Sequence, residues 1–287
     1  MLPNIKHYVN MGSESRKYPR PRRYGCCVKK TRIDAVLAER GLFPSRTAAA
    51  GAVRAGEVRV GTDGPIALRP SQLVEPEADL IVDSGPRFVS RGGFKLENAL
   101  DATAIDLAGR ECLDVGASTG GFTDCMLQRG AATVAAVDVA YGQIDQRLRA
   151  DDRVIVIERL NARELEPGDI PLTPSFAAVD VSFISLAKLL PAVVSCMGED
   201  GELLAMVKPQ FELGRERVGK GVVRDPADRR EAVLGIAKMA TGLGLAVRGF
   251  APSGLPGPKG NIETFVWCAL GGEGIEDLEA AVEDVEV

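Results

Sequence analysis

The 287-residue sequence predicts an α/β protein in which a parallel sheet carries helices on both faces and a small α+β domain precedes it. From residue 111 onward, apolar strand-like runs alternate with helical spacing, which is typical of such a sheet. Residues 31–86 instead hold two helix patterns followed by short strand signals. Charge also divides the chain: residues 1–89 contain 15 basic and 9 acidic side chains, against 20 and 31 in residues 90–287. We therefore expect a basic small domain and an acidic large one.

Two helices and a hairpin are predicted in the small domain, residues 31–86. Thr31 can cap a first helix, ended by Gly41, whose apolar face holds Ile33, Val36, Leu37 and Leu42. Ser45 can cap a second helix, Arg46 to Ala55, which Gly56 ends. Strand signals follow at Glu57–Val60 and Asp79–Asp83, with a turn at residues 62–64.

The large domain is predicted at residues 94–271, after a linker at 87–93. A helix pattern at 94–102 comes first. Strands are predicted at 111–115, 133–139, 154–157, 176–181, 201–207, 245–250 and 263–270, and helices at 121–129, 186–197 and 226–242. Residues 272–287 form an acidic tail, in which Ile275, Leu278 and Val282 allow either a short amphipathic helix or a solvated segment.

Residues 1–30 form a basic extension, with eight Lys or Arg and one acidic residue. Scattered Pro and Gly and the lack of apolar periodicity predict disorder. Two other readings stay open: a tail that contacts RNA, or a coding start further in, near Val28.

Composition excludes several classes of protein. The six cysteines form no CxxC pair and His7 is the only histidine, so we expect no metal site and no disulfide framework. No apolar run approaches the ~18–20 residues of a membrane-spanning helix, and the N-terminus lacks the apolar core of a secretion signal. A cytoplasmic protein with reduced thiols is the expectation.

The most informative motif lies where the first strand of the large domain meets a helix. It reads Leu113-Asp114-Val115-Gly116-Ala117-Ser118-Thr119-Gly120-Gly121-Phe122. Glycines at such a turn let a ligand approach the backbone, and the helix start offers free N–H groups. Ser118 stands where a dinucleotide fingerprint needs glycine, and the Gly-Lys-Ser/Thr of a Walker loop is absent.

With Asp138 at the end of the next strand, this motif instead resembles the S-adenosylmethionine site of Rossmann-like methyltransferases. That cofactor has no pyrophosphate, and its ribose hydroxyls suit a carboxylate acceptor. The predicted cofactor-binding residues are Asp114, Gly116, Ser118, Thr119, Gly120, Gly121, Asp138 and Asn161. A tight turn without a ligand is the alternative.

Four charged residues are predicted to meet at one edge of the sheet. Lys95 opens the helix before the first strand, Asp180 and Lys208 end two strands, and Glu263 begins the last. A single charge at a strand end is usually solvated. However, apolar runs lead directly into Asp180 and Lys208, and two lysines can pair with two carboxylates so that no buried charge is left alone. We predict a catalytic site from all four, provided that the final strand is antiparallel.

The order Lys, Asp, Lys, Glu with this glycine motif resembles the FtsJ superfamily of ribose 2′-O-methyltransferases. The amino-acid sequence is more similar still to the TlyA family of rRNA methyltransferases, also called the hemolysin A family. The matching stretches lie at 90–96, 113–122, 139–143, 160–163, 180–186, 207–212 and 255–263, within a match that covers about residues 32–270.

This resemblance implies 2′-O-methylation of cytidine ribose in rRNA, within ribosomal subunits. It implies that Lys208 removes the hydroxyl proton and that Asp180 and Glu263 orient the lysines and the hydroxyl. Lys95 would place the target ribose or its phosphate. It also makes the small domain similar to the RNA-binding domain of ribosomal protein S4. The predicted RNA-binding residues are Lys29, Lys30, Arg32, Arg46, Arg54 and Arg91, which can meet phosphates.

Three alternative functions are less consistent with the sequence. A membrane-active hemolysin lacks a spanning segment, and the basic extension has no apolar face. A non-catalytic RNA-binding protein would not need the four charged residues. A dehydrogenase is disfavoured by Ser118. No membrane and no obligate protein partner are expected.

Overall fold

The computed structural model describes residues 30–43, 45–62, 64–82 and 87–285. The predicted disorder of the N-terminal extension, the RNA-binding assignment of Lys29 and the centre of the turn at 62–64 lie outside these residues.

The small domain contains two helices and paired short strands. Its elements are β1 (Thr31–Arg32), α1 (Ile33–Glu39), α2 (Arg46–Ala55), β2 (Val58–Val60), β3 (Leu73–Val74) and β4 (Leu80–Val82). The Ser45 hydroxyl accepts from the Ala48 N–H and caps α2, and Gly56 ends that helix at φ +79°, where glycine costs least. Strand β2 pairs with β4, antiparallel, and β1 pairs with β3. The apolar sides of these elements share one core that includes Ile33, Leu37, Val53 and Val58.

Two expectations for the first helix were wrong. Thr31 does not cap it, because Thr31 and Arg32 pair in extended conformation with Leu73 and Val74, a strand that the sequence analysis missed. Leu42 does not face the core, because α1 ends at Glu39 and the Leu42 side chain is 44% exposed. In both cases a contact or turn outside the helix overrides the local pattern.

The large domain is built on a seven-stranded sheet in the order β10-β11-β9-β8-β5-β6-β7. Its strands are β5 (Glu111–Val115), β6 (Thr133–Asp138), β7 (Val154–Glu158), β8 (Phe176–Val179), β9 (Glu202–Val207), β10 (Ala246–Pro252) and β11 (Thr264–Ala269). Strands β5 to β9 are all parallel to one another, whereas β11 is antiparallel to both β9 and β10. The condition that the final strand be antiparallel is therefore met.

Helices cover both faces of this sheet. They are α3 (Gly92–Thr103), α4 (Gly121–Gln128), α5 (Gln146–Arg149), α6 (Leu190–Ser195), α7 (Pro209–Glu212), α8 (Pro226–Gly242) and α9 (Leu278–Glu283). Alternate strand residues point to opposite faces: Cys112 packs with the core beneath α3 and α4, and Leu113 with the core beneath α6 and α8. The doubly covered sheet predicted from the alternation of patterns is confirmed.

Element bounds differ from expectation at three places. Helix α3 begins at Gly92, inside the predicted linker. The helix expected at 186–197 is a 3-10 turn at Leu186–Lys188 followed by α6, because Pro191 sits in the first turn of α6, where its fixed φ favours a new start. The acidic tail forms α9, which buries Val282 against the large-domain core.

The two domains are in contact. The α-carbon of Gly56 faces the ring of Phe94 so closely that a β-carbon there would lie 2.5 Å from it. Ile66 of the small domain packs against the large-domain core that contains Phe94. These contacts hold the end of α2 beside the start of α3.

Candidate active site

The carboxyl ends of the parallel strands bring three of the predicted residues together. Thr264 of β11 is opposite Val207 of β9, so Glu263 and Lys208 leave the sheet side by side. Val179 of β8 is opposite Ala205 of β9, so Asp180 emerges at the same edge. The sheet topology thus assembles residues that are far apart in sequence.

Two ion pairs form at this edge. The Lys95 ammonium pairs with the Glu263 carboxylate, and both side chains are buried. The Lys208 ammonium pairs with Asp180 and donates a hydrogen bond to the Ser182 hydroxyl at 2.9 Å. Asp180 Oδ1 accepts no hydrogen bond of good geometry, so its contact with Lys208 is an ion pair only. Each buried lysine therefore has a carboxylate partner, as burial of a charge requires.

The glycine loop lies directly beside these pairs. Gly116 adopts φ +86°, and a β-carbon there would clash with the Asp180 carbonyl, so only glycine permits this approach. Asp114 is fully buried, and its Oδ2 accepts from the Thr123 N–H at 2.9 Å and from the Thr123 hydroxyl at 2.6 Å. Asp114 thereby fixes the start of α4 next to the loop.

Asp138, at the end of β6, shapes the other side of the loop. Its Oδ2 accepts from the Ser118 N–H and its Oδ1 from the Ala140 N–H, both at 2.7 Å. These bonds hold Ser118 in a left-handed conformation, φ +49°. A carboxylate has about four acceptor sites, so Asp138 can still accept from a ligand.

Two cavities meet at this loop and share Gly116, Ser118 and Asp180 in their walls. The first, here called the Lys95 cavity, has a volume of about 450 Å³. The second, here called the Asp138 cavity, has about 400 Å³. Both volumes are typical of small-molecule sites, and the shared residues make the two cavities direct neighbours.

Comparison with known proteins identifies this arrangement. The sequence profile of FtsJ-like methyltransferases matches residues 88–270, and that of the S4 domain matches residues 31–80. The chain belongs to the FtsJ-like methyltransferase family. The two ion pairs and the Asp138 cavity lie in the FtsJ-like domain, whereas the S4 domain that precedes it contributes Arg54 and residues 68–70 to the Lys95 cavity.

Full-length relatives narrow the assignment to the TlyA family. The chain is 48% identical over 258 residues to the 16S/23S rRNA (cytidine-2′-O)-methyltransferase TlyA of Mycobacterium tuberculosis, covering 87% of this chain and 96% of that one. It is 35% identical to hemolysin A of Brachyspira hyodysenteriae, covering 81% and 97%. A solved structure from Streptococcus thermophilus with a provisional hemolysin name superposes with a TM-score of 0.67 at 38% identity, covering 90% and 96%.

These findings confirm the predicted family, fold and class of enzyme, an S-adenosylmethionine-dependent methyltransferase. Within the residues that the structure describes, no helix is both long and apolar enough to cross a membrane. The cytoplasmic location stays a prediction.

The FtsJ-like site fits S-adenosylmethionine, which carries ammonium and sulfonium charges and ribose hydroxyls. Asp114 lines the Lys95 cavity, and its buried Oδ1 has no partner among the described residues, so it suits a nearby cation. Asp138 lines the Asp138 cavity with acceptor capacity to spare.

Most of the other residues predicted to bind the cofactor also reach these cavities. Thr119 and Gly121 line the Lys95 cavity, and Asn161 lines the Asp138 cavity, where its side chain caps a 3-10 turn by accepting from the Arg163 N–H. Gly120 lines neither cavity: at φ +94° it packs against Leu148 and makes the turn into α4 possible.

Burial raises the pKa of Asp114 to about 7, against the lowering effect of the two hydrogen bonds from Thr123. The charges of Asp180 and Asp138 contribute to this rise as well. A cation bound near Asp114 favours the ionised carboxylate and opposes this shift. The ionisation of Asp114 is therefore coupled to occupation of the Lys95 cavity.

The predicted RNA-binding residues fall into two groups. Arg32 and Arg46 both pair with Asp34 in the S4 domain, and Lys30 is exposed. Arg54 and Arg91 line the Lys95 cavity instead, where Arg91 is half-buried and donates to the Pro256 carbonyl at 2.9 Å. Burial lowers the pKa of Arg91.

Three residues at the site were missed from sequence. Ser182 could have been found, since it lies two positions after Asp180, but its bond to Lys208 depends on β9 being next to β8. Phe183 is 91% exposed, at φ +67°, in the wall of the Asp138 cavity. A single aromatic residue between Ser182 and Ile184 gave no sign of this exposure. Arg69 lines the Lys95 cavity from a loop whose position follows only from domain packing.

Proposed function

We propose that this protein transfers a methyl group from S-adenosylmethionine to the 2′ oxygen of a cytidine ribose in ribosomal RNA. The observation that carries the proposal is the Lys208–Asp180 pair, in which Asp180 lines both cavities and Lys208 lies directly behind it. The names of the relatives support the substrate: the Mycobacterium tuberculosis enzyme acts on 16S and 23S rRNA, and a 31% identical TlyA of Campylobacter jejuni acts on 23S rRNA.

When bound, S-adenosylmethionine supplies a methyl carbon that is open to displacement from the side opposite its sulfur. The residues around the cavities must align a ribose hydroxyl on that line and exclude competing nucleophiles. Asp138 and the glycine loop would hold the cofactor's ribose and methionine portions, and Asp114 would face its positive charge. With the cofactor held in this way, its transferable carbon would lie near Asp180, which lines both cavities.

Lys208 acts as the general base in this proposal. A ribose hydroxyl is a weak nucleophile near neutral pH, so its proton must be accepted as the new C–O bond forms. The Lys208 nitrogen is held from two sides, by the Asp180 carboxylate and by the Ser182 hydroxyl at 2.9 Å. These contacts fix the direction of the nitrogen lone pair once Lys208 has given up its proton.

Lys95 and Glu263 form the second half of the site. Their pair is buried, and Lys95 lines the cavity while Glu263 does not. Glu263 therefore holds Lys95 in place, and Lys95 positions the ribose or its phosphate. Removal of either charge leaves the other uncompensated.

Exposed aromatic side chains beside the Asp138 cavity suit an unpaired RNA base. Phe183 is 91% exposed and Tyr141 is 68% exposed, with the Arg159 guanidinium 4.2 Å from the Tyr141 ring centroid. Proteins recognise single-stranded RNA by stacking bases on such surfaces. The target nucleotide would be held here outside its helix.

Methyl transfer to isolated ribosomal subunits tests the proposed function. With tritiated S-adenosylmethionine, we expect label in the rRNA of at least one of the 30S and 50S subunits, recovered as 2′-O-methylcytidine after nuclease digestion. Label in no rRNA, or on a base rather than a ribose, would contradict the proposal.

Replacement of Phe183 by Ala should lower kcat/KM for ribosomal subunits about tenfold, since stacking of one base on an aromatic ring contributes ~1–3 kcal/mol. Phe183→Trp keeps a ring and should retain most activity. Because the side chain is 91% exposed, the melting temperature should stay unchanged. Equal kcat/KM for the Ala variant and the wild type would exclude the stacking role.

Affinity for S-adenosylmethionine should increase as pH rises through about 7. Asp114, with its pKa raised to about 7, is neutral below this pH and ionised above it, and only the ionised form attracts the cofactor's positive charge. Calorimetric titrations between pH 5.5 and 8 would show the increase. Asp114→Asn removes the ionisable group, so its affinity should vary less over this range; equal pH profiles would refute the coupling.

A further inference from the structure

The Lys95 cavity is walled by both domains. The large domain contributes the glycine loop, Lys95 and Asp180, whereas the small domain contributes Arg54 and the loop 68–70. The contacts of Gly56 with Phe94, and of Ile66 with the large-domain core, hold the two walls together. The S4 domain therefore reaches the place where methyl transfer is proposed to occur.

Two arginines of the S4 domain stand in this wall without a counter-charge. Arg54 near the end of α2 and Arg69 are both exposed, and neither forms an ion pair with a carboxylate of the described residues. By contrast, Arg32 and Arg46 of the same domain pair with Asp34. Unpaired guanidinium groups lining a cavity suit an anion with several oxygens, such as a phosphate.

We infer that Arg54 and Arg69 bind the RNA backbone phosphates that flank the target ribose, so that the S4 domain takes part in positioning the reacting nucleotide. The inference rests on the proposed function and extends it. In RNA, the 3′ phosphate is attached to the carbon next to the one that bears the 2′ hydroxyl. A ribose oxygen placed at Lys208 and Asp180 therefore brings a phosphate into the same cavity or to its rim.

The charges of the cavity agree with this placement. Lys95 is neutralised by Glu263 and Lys208 by Asp180, so a phosphate that Lys95 helps to position still needs further positive charge. Arg91, at the start of the large domain, adds a third guanidinium to the same wall but is held by the Pro256 carbonyl. Among the described residues that line the cavity, Arg54 and Arg69 are thus the cations that have neither a carboxylate nor a carbonyl partner.

Steady-state kinetics separates this role from that of a distant anchor. We compare Arg54→Gln, Arg69→Gln and the double variant, with Arg40→Gln as the matched control, since Arg40 is exposed in the same domain but lines no cavity described above. Methyl transfer to ribosomal subunits gives kcat and KM, and calorimetry gives the affinity for S-adenosylmethionine. A phosphate contact next to the reacting ribose should lower kcat as well as raise KM, whereas a distant contact changes KM alone.

Each single Gln variant should lose about tenfold or more in kcat/KM, with a clear part of the loss in kcat. A salt series should show the slope of log kcat/KM against log salt falling by roughly one for each phosphate contact removed. Arg40→Gln should stay within about twofold of the wild type, and all variants should bind S-adenosylmethionine normally.

The outcomes distinguish a failure of the proposed function from a failure of the role inferred for Arg54 and Arg69. Wild-type protein that methylates no ribosomal RNA contradicts the proposed function. An active wild type with unchanged kcat in Arg54→Gln, Arg69→Gln and the double variant overturns only the inference that these arginines act in the catalytic cavity. A loss of kcat in the variants equal to that in Arg40→Gln overturns it as well.

Discussion

Lys208→Ala is expected to lower kcat for methyl transfer about 10³-fold, because general bases contribute ~10²–10⁴-fold to such reactions and no other described base is held at the same position. The Lys208 nitrogen contacts Asp180, which lines both cavities, and Ser182, which lines the Asp138 cavity, while Lys95 is paired with Glu263. Affinity for S-adenosylmethionine should persist, since Lys208 lines neither cavity. Tritium transfer to ribosomal subunits and calorimetry give the two quantities.

Two further variants control this prediction. Lys188→Ala removes an exposed lysine of the same domain and should leave kcat unchanged. Ser182→Ala keeps the base but removes the hydroxyl that orients it, so we expect a smaller loss than with Lys208→Ala and a changed pH profile. If Lys208→Ala retained kcat within tenfold of the wild type, another group would have to accept the proton.

Glu263→Gln should destabilise the fold by about 3 kcal/mol, since removal of one partner leaves a buried charge alone. The Lys95 and Glu263 side chains are only 9% and 1% exposed. Activity should also be lost, because Lys95 is no longer held. Urea unfolding followed by circular dichroism measures the change in free energy.

The exposed pair Lys238–Glu279 provides the matched control, since both side chains are about 60% exposed. Glu279→Gln should therefore alter the stability little. A double variant, Lys95→Met with Glu263→Leu, should recover much of the stability but no activity, because apolar residues can replace a buried pair in packing and not in chemistry. Unchanged stability of Glu263→Gln would mean that water reaches Lys95.

Helices and strands with strong local patterns were predictable from sequence. Helix α8 occurs at Pro226–Gly242, the predicted bounds. Asp225 caps its start, and no proline interrupts the helix after its first residue. The strands of the large domain lie within one or two residues of expectation, since apolar runs between turns depend on neighbours in sequence. Thr31, Leu42 and the helix at 186–197 failed where a distant partner or a proline decided the local conformation.

By itself, the sequence determined the kinds of side chain available for chemistry and the strand ends at which they stand, since glycine spacing and apolar runs are local properties. Only the tertiary structure decided the partners: Lys95 pairs with a carboxylate 168 residues away, and Lys208 pairs with the acid of the adjacent strand. It also brought Arg54 and Arg69 of the S4 domain to the same cavity. The reason is physical: ion pairs and cavity walls depend on distances in space, which strand order and domain packing set and which spacing along the chain does not reveal.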